Sequence, residues 1–154
     1  MIAIVDYGMG NLGSVEKALK YIGSDSVITS DPDVLYDADG IILPGVGSFA
    51  PAMDELNSRE LVMPLIDIAN SGKPFLGICL GMQLLFEKSY EYGEHRGLGL
   101  IPGEVRPIAD VIPAGLKIPH MGWNPLIFKN GQTLGKKLLG LGVMHKTGIR
   151  LRAP

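Results

Sequence analysis

The residue best equipped for chemistry in this chain is its single cysteine, Cys79, in the run Pro74-Phe75-Leu76-Gly77-Ile78-Cys79-Leu80-Gly81-Met82-Gln83-Leu84-Leu85-Phe86. A short apolar stretch ends at Gly77-Ile78, the thiol follows, and a helical pattern begins at Leu80. This is the strand–turn–helix pattern of a nucleophile elbow, glycine-x-nucleophile-x-glycine, with sulfur in place of a hydroxyl. A turn sharp enough to lift one side chain out of the backbone leaves little room for a Cβ on either side. A helix starting at Leu80 would aim free N–H groups and the positive end of its dipole at the sulfur. That favours thiolate over thiol and offers donors to an oxyanion. The alternative is a buried structural cysteine, since free cysteine is among the most buried residue types.

The elements needed to present such a thiol can be read along the chain. Met1–Asp6 is an apolar run that predicts a buried strand, and Tyr7-Gly8-Met9-Gly10 a turn with Asn11 as helix N-cap. Leu12, Val15, Ala18, Leu19 and Ile22 then recur at helical spacing up to Gly23. Val27–Thr29 reads as a weak strand and Asp31-Pro32-Asp33 as a turn. Gly40–Leu43 is a second buried strand ending in Pro44-Gly45-Val46-Gly47, followed by a helix from about Phe49 to Leu56. Ser58 is placed to cap another helix running to Gly72, with Pro64 near its first turn or splitting it. Strands that are apolar throughout, alternating with helices, predict an α/β fold with a mostly parallel sheet covered on both faces. In such sheets sites form beyond the carboxyl ends of the strands. Three glycine-rich turns, at residues 8–10, 45–47 and 77–81, fall there.

Beyond Gly97 the pattern changes. Gly103–Ile108 and Pro125–Phe128 read as short strands, in an antiparallel arrangement, with Pro119–Asn124 leading into the second. From Gly131 to Pro154 the glycines at 135, 140 and 142 interrupt any helical spacing. There is no internal repeat.

At 154 residues, 46% hydrophobic and 19% charged, the chain has the composition of one globular domain. No apolar run is long enough for a membrane span, and Met1 leads straight into Ile2-Ala3-Ile4-Val5 without a basic leader, so the expectation is a cytoplasmic protein. One cysteine can form no internal disulfide and no cysteine-rich zinc site, which fits a cytoplasmic protein with a catalytic thiol; no metal and no cofactor are expected. The net charge of −2 conceals an asymmetry: all 16 acidic residues lie at or before Asp110, while the segment 111–154 carries 7 basic residues and no acid. A basic tail can bind nucleic acid, but these cations are dispersed and lack interleaved aromatics, so no nucleic-acid partner is expected.

Four separated segments, Asp6–Asn11, Pro44–Gly47, Gly77–Gln83 and Pro119–Asn124, together resemble class I glutamine amidotransferases, specifically the glutaminase subunits of imidazole glycerol phosphate synthase. The resemblance covers residues 1–130, leaving 131–154 as an atypical basic tail. It implies a flavodoxin-like fold, glutamine as substrate, and a thioester on Cys79 that yields glutamate and ammonia. Ammonia would pass to a (β/α)8-barrel synthase subunit in histidine biosynthesis. Carried over by position, Cys79 matches the nucleophile, the N–H of Leu80 one oxyanion donor, and the Gly45-Val46-Gly47 turn the other. Gln83 matches a residue lining the glutamine pocket; the alternative from position alone is a solvent-facing residue on its helix. Asn11, Met121, Trp123 and Asn124 match positions facing the barrel, although a tryptophan in such a turn also suits plain packing.

The sequence departs from that family in one chemical respect. Its members carry a histidine followed two residues later by glutamate, which no histidine here shows: His95 sits in a charged loop, His120 in the partner-facing segment, and His145 precedes Lys146-Thr147-Gly148. The family's chains also run longer. A C-terminally truncated, frame-shifted or internally deleted product would account for the length, the missing pair and the acid-free tail together. Without a positioned acid–base group a factor of about 10² to 10⁴ in rate is lost. Three readings follow: a glutaminase subunit by descent, a docking module that no longer hydrolyses glutamine, and a different α/β cysteine hydrolase with another base.

Overall fold

The computed structural model describes residues 1–110 together with Ile112, Pro113, Gly115 and Ile118. The expected strand at Pro125–Phe128, the segment Pro119–Asn124 and the tail 131–154 lie outside the described residues.

Four strands, β1 (Ile2–Val5), β2 (Ser26–Thr29), β3 (Gly40–Leu43) and β4 (Phe75–Gly77), form a sheet in the order β2-β1-β3-β4. All pairs are parallel, with Ile4 opposite both Ile28 and Ile42, and Leu43 opposite Gly77. This order, with neighbours on both sides of β1, is that of flavodoxin-like sheets. Helix α1 (Leu12–Tyr21) crosses from β1 to β2, α2 (Pro32–Asp37) from β2 to β3, and α3 (Phe49–Ser58) with α4 (Val62–Asn70) from β3 to β4. Because parallel crossovers are right-handed, the reversal of direction at β1 puts α1 on one face and α2 to α4 on the other.

The two faces are packed differently. Ala3, Val5, Ile41 and Leu43 alternate toward α2–α4 and join Leu35, Phe49, Leu56, Leu61 and Leu65 in one core, all fully buried or nearly so. Each fully buried leucine or phenylalanine there contributes about 1.5–3 kcal/mol. On the other face α1 buries none of its residues completely; Leu12, Val15 and Leu19 are only half covered.

Several expectations are corrected. Asp31-Pro32-Asp33 begins helix α2: the Asp31 side chain accepts from the N–H of Asp33 at 2.9 Å, and Pro32 needs no donor in the first turn. Ser58 caps nothing ahead of it; it is the last residue of α3, its hydroxyl donating back to the Glu55 carbonyl at 3.0 Å. The helix after the cysteine, α5, is short (Leu80–Leu84), and the chain re-enters a strand, β5 (Phe86–Ser89), two residues later. The sequence hides this because Leu84, Leu85 and Phe86 are all buried, so the apolar run passes from helix to strand without a break. With β6 (His95–Arg96) and β7 (Ile101–Val105), β5 forms a second sheet, β6-β5-β7. Within it β7 pairs parallel to β5, and only β6 runs antiparallel. His95 is therefore a half-buried strand residue opposite Ser89, rather than part of a solvated loop. Among the described residues no helix is long and apolar enough to cross a membrane.

Candidate functional site

Strand β4 delivers the thiol. Gly77 ends the strand, the N–H of Ile78 donates to the Leu43 carbonyl at 2.9 Å, and Cys79 follows with φ 58° and ψ −118°. For a non-glycine residue that backbone costs on the order of 1–3 kcal/mol, which the surrounding packing must offset. The cysteine is exposed, so the structural-cysteine alternative falls.

The glycines on either side are required by contact. A Cβ on Gly77 would lie 2.6 Å from the Cα of Met82, 2.7 Å from its nitrogen and 2.8 Å from the Gly81 carbonyl oxygen. A Cβ on Gly81 would overlap the Leu43 carbonyl. The elbow is thus closed on itself and pressed onto the end of β3.

The turn after β3 faces the elbow. A Cβ built on Gly45 would lie 2.6 Å from the nitrogen of Gly81 and 2.9 Å from the Cβ of Leu80, which puts these two segments in van der Waals contact. Gly45 and Leu80 are buried, while Val46 is half exposed and Gly47 exposed. Among the described residues the N–H groups of Val46, Gly47 and Leu80 have no acceptor. Free donors beside an exposed thiol are what a developing oxyanion requires. With α5 so short, these donors matter more than any helix dipole.

Gln83, one turn into α5, is 7% exposed, which rules out the solvent-facing alternative. Asn11 is exposed at the N-cap of α1, with no side-chain capping bond, on the β1–α1 turn that borders the same edge of the sheet. This turn touches the Gly45–Gly47 segment directly: a Cβ on Gly10 would lie 3.1 Å from Cγ of Pro44, and one on Gly47 2.9 Å from Cε of Met9. Met121, Trp123, Asn124, His120 and His145 lie outside the described residues. Among the described residues no group of three or more His, Cys, Asp and Glu side chains is arranged to hold a metal ion.

Two residues of the site carried no signal of their own in the sequence. Tyr7, 1% exposed, donates its hydroxyl to the Pro44 carbonyl at 2.9 Å. Burial first, and the charge of Cys79 second, push its phenol well above the ordinary tyrosine range. Glu91, beyond β5, accepts from the N–H of Phe49 at 2.7 Å and so caps α3 where the Gly45–Gly47 turn enters it. Both bonds join residues about 40 positions apart, 37 for Tyr7 and 42 for Glu91, a distance over which residue spacing says nothing.

A strained, exposed cysteine thus stands at the carboxyl end of a parallel strand of a flavodoxin-like sheet, opposed by a turn with free N–H groups. The family model of glutamine amidotransferase class-I matches residues 3–150, and the chain belongs to that family. Among its relatives, the imidazole glycerol phosphate synthase subunits HisH of Bacillus cereus and of Bacillus thuringiensis strain Al Hakam are each 58% identical over 126 residues. The HisH subunit of Bacillus cereus strain G9842 is 57% identical over the same length. Each alignment covers 82% of this chain and 58% of the relative, so the chain spans little more than half the length of these curated relatives. In three dimensions it resembles a crystal structure of a glutamine amidotransferase with a TM-score of 0.62 at 19% identity, over 77% of this chain and 61% of the other. That likeness supports the flavodoxin-like fold.

Proposed function

We propose that this chain carries the cysteine-bearing part of a glutaminase that supplies ammonia for imidazole glycerol phosphate formation in histidine biosynthesis. The observation carrying this reading is the closed Cys79 elbow against the Gly45–Gly47 turn, in a chain 58% identical to subunits of that synthase. The Cys79 thiolate attacks the side-chain amide carbon of glutamine. The N–H groups of Leu80 and of Val46 or Gly47 receive the oxyanion, while Gly45 and Gln83 line the pocket for the rest of the substrate. The tetrahedral intermediate collapses with loss of ammonia, for which the nitrogen needs one proton. Water then cleaves the thioester, giving glutamate and the free thiol. Asn11, with Met121, Trp123 and Asn124, faces a (β/α)8-barrel synthase subunit that consumes the ammonia.

A second reading, a docking subunit that does not turn glutamine over, is favoured by one observation. No histidine in the chain is followed two residues later by glutamate, so the proton for ammonia has no assigned donor. Glutamate release is measured for the chain alone and with the barrel subunit and its nucleotide ligand. Partner-dependent release that Cys79→Ser abolishes supports the first reading. Release that survives Cys79→Ser refutes it, and stable complex formation without release supports the second.

A further inference from the structure

Resting on the glutamine-site reading, we propose that Tyr7 is a positioning residue: its hydroxyl fixes the Pro44–Gly45 peptide and thereby aims the oxyanion-binding turn at Cys79. Tyr7 lies two residues beyond β1, and its ring is buried under the site. Its oxygen occupies the junction of the two segments that carry the free N–H groups. It donates to the Pro44 carbonyl at 2.9 Å, and a Cβ on Gly45 would lie 2.8 Å from it, on the same side as Leu80 and Gly81.

A peptide unit is planar, so holding the Pro44 carbonyl also fixes the direction of the Gly45 N–H and the entry of the chain into Val46 and Gly47. Gly45 lacks a side chain that could hold the unit otherwise, and Pro44 has no N–H to anchor it from the preceding side. No other donor to the Pro44 carbonyl is found among the described residues. Because burial and the Cys79 charge disfavour the phenolate, the hydroxyl keeps its proton, and remains a donor, when the thiolate forms beside it. The hydrogen bond of Tyr7 goes to the turn, and it is through the turn that it acts.

The test compares two alkylating reagents on the purified 154-residue chain. The chloromethyl ketone analogue of glutamine needs the turn: the thiolate displaces chloride, an S–C bond replacing the C–Cl bond, while the ketone oxygen sits among the N–H donors. Iodoacetamide needs only the thiolate. In Tyr7→Phe, the maximal rate with the chloromethyl ketone is expected to fall about tenfold with its half-saturating concentration little changed, since misaimed donors weaken the transition state more than binding. The iodoacetamide rate should stay within about twofold. Replacing Tyr7 by 4-aminophenylalanine, which restores a donor, should recover most of the loss. Equal slowing of both reagents, no slowing of either, or no rescue overturns the proposal. Should Tyr7→Phe not fold, 4-fluorophenylalanine fills the oxygen's place without donating; if that chain does not fold either, Tyr7 is a structural residue and the proposal fails. A non-saturating chloromethyl ketone reaction in the unmodified chain would instead refute the glutamine-site reading, before any variant is made.

Discussion

Replacing Gly77 by alanine tests the elbow by adding a single carbon. The new Cβ would meet three backbone atoms, the Cα and nitrogen of Met82 and the carbonyl oxygen of Gly81, at 2.6, 2.7 and 2.8 Å. Normal carbon contacts are about 3.5–4.0 Å, and none of these atoms belongs to a side chain that could swing away. Relief requires the elbow to open, moving α5 relative to β4. Overpacking of this kind costs about 1–3 kcal/mol. Opening also strains the bond from the Ile78 N–H to the Leu43 carbonyl, worth about another 1 kcal/mol. The expected destabilisation of about 2–4 kcal/mol corresponds to a fall in melting temperature of roughly 5–15 °C for a chain of this size. Gly13 in α1 supplies the control, because a Cβ there meets nothing within 4 Å. Gly13→Ala should stabilise by about 0.5–1 kcal/mol through helix propensity alone. Thermal unfolding followed by circular dichroism reads both variants. If Gly77→Ala melts no lower than the unmodified chain, the closed elbow described above is wrong.

Other perturbations read separate parts of the site. Glu91→Ala should cost about 1–2 kcal/mol by leaving the Phe49 N–H without its acceptor, and Glu91→Gln should recover most of it; urea unfolding midpoints check the order. For Tyr7 the folded-state phenol lies above its ordinary value of 10.0, so the unfolded chain loses that proton first. Its contribution is complete below pH 10 and drains away as the pH rises above it, so absorbance at alkaline pH should show one tyrosine titrating only with unfolding. Asp31→Ala removes the N-cap of α2 and should destabilise by about 0.5–2 kcal/mol, without altering the rate at which iodoacetamide modifies Cys79.

Much of the fold was legible because its signals are local. The apolar runs at Ile2–Val5 and Gly40–Leu43, the helical spacing from Leu12 and the glycine pair around Cys79 each declare themselves within a few residues. Helix α2 was also legible in principle, since aspartate followed by proline is a helix start as well as a turn. The second sheet was not. Its strands are two to five residues long, and β5 begins inside an apolar run that fits a helix equally well. At the carboxyl edge of the sheet, the turn geometry around Cys79 could be read from residue type and spacing, whereas the burial of Gln83 followed only from packing. Tyr7 and Glu91 act through bonds to backbone groups far along the chain, and only the folded sheet brings them there.

Cys79 and the Gly45–Gly47 turn are proposed to form one glutamine-reactive site. Its most direct test is the alkylation of Cys79 by the chloromethyl ketone analogue, followed by intact mass and peptide mapping, with and without L-glutamine. The expected result is a single adduct at Cys79, a rate that saturates with reagent, and slowing by L-glutamine but not by D-glutamine. A rate that rises linearly with reagent and is indifferent to glutamine would contradict it.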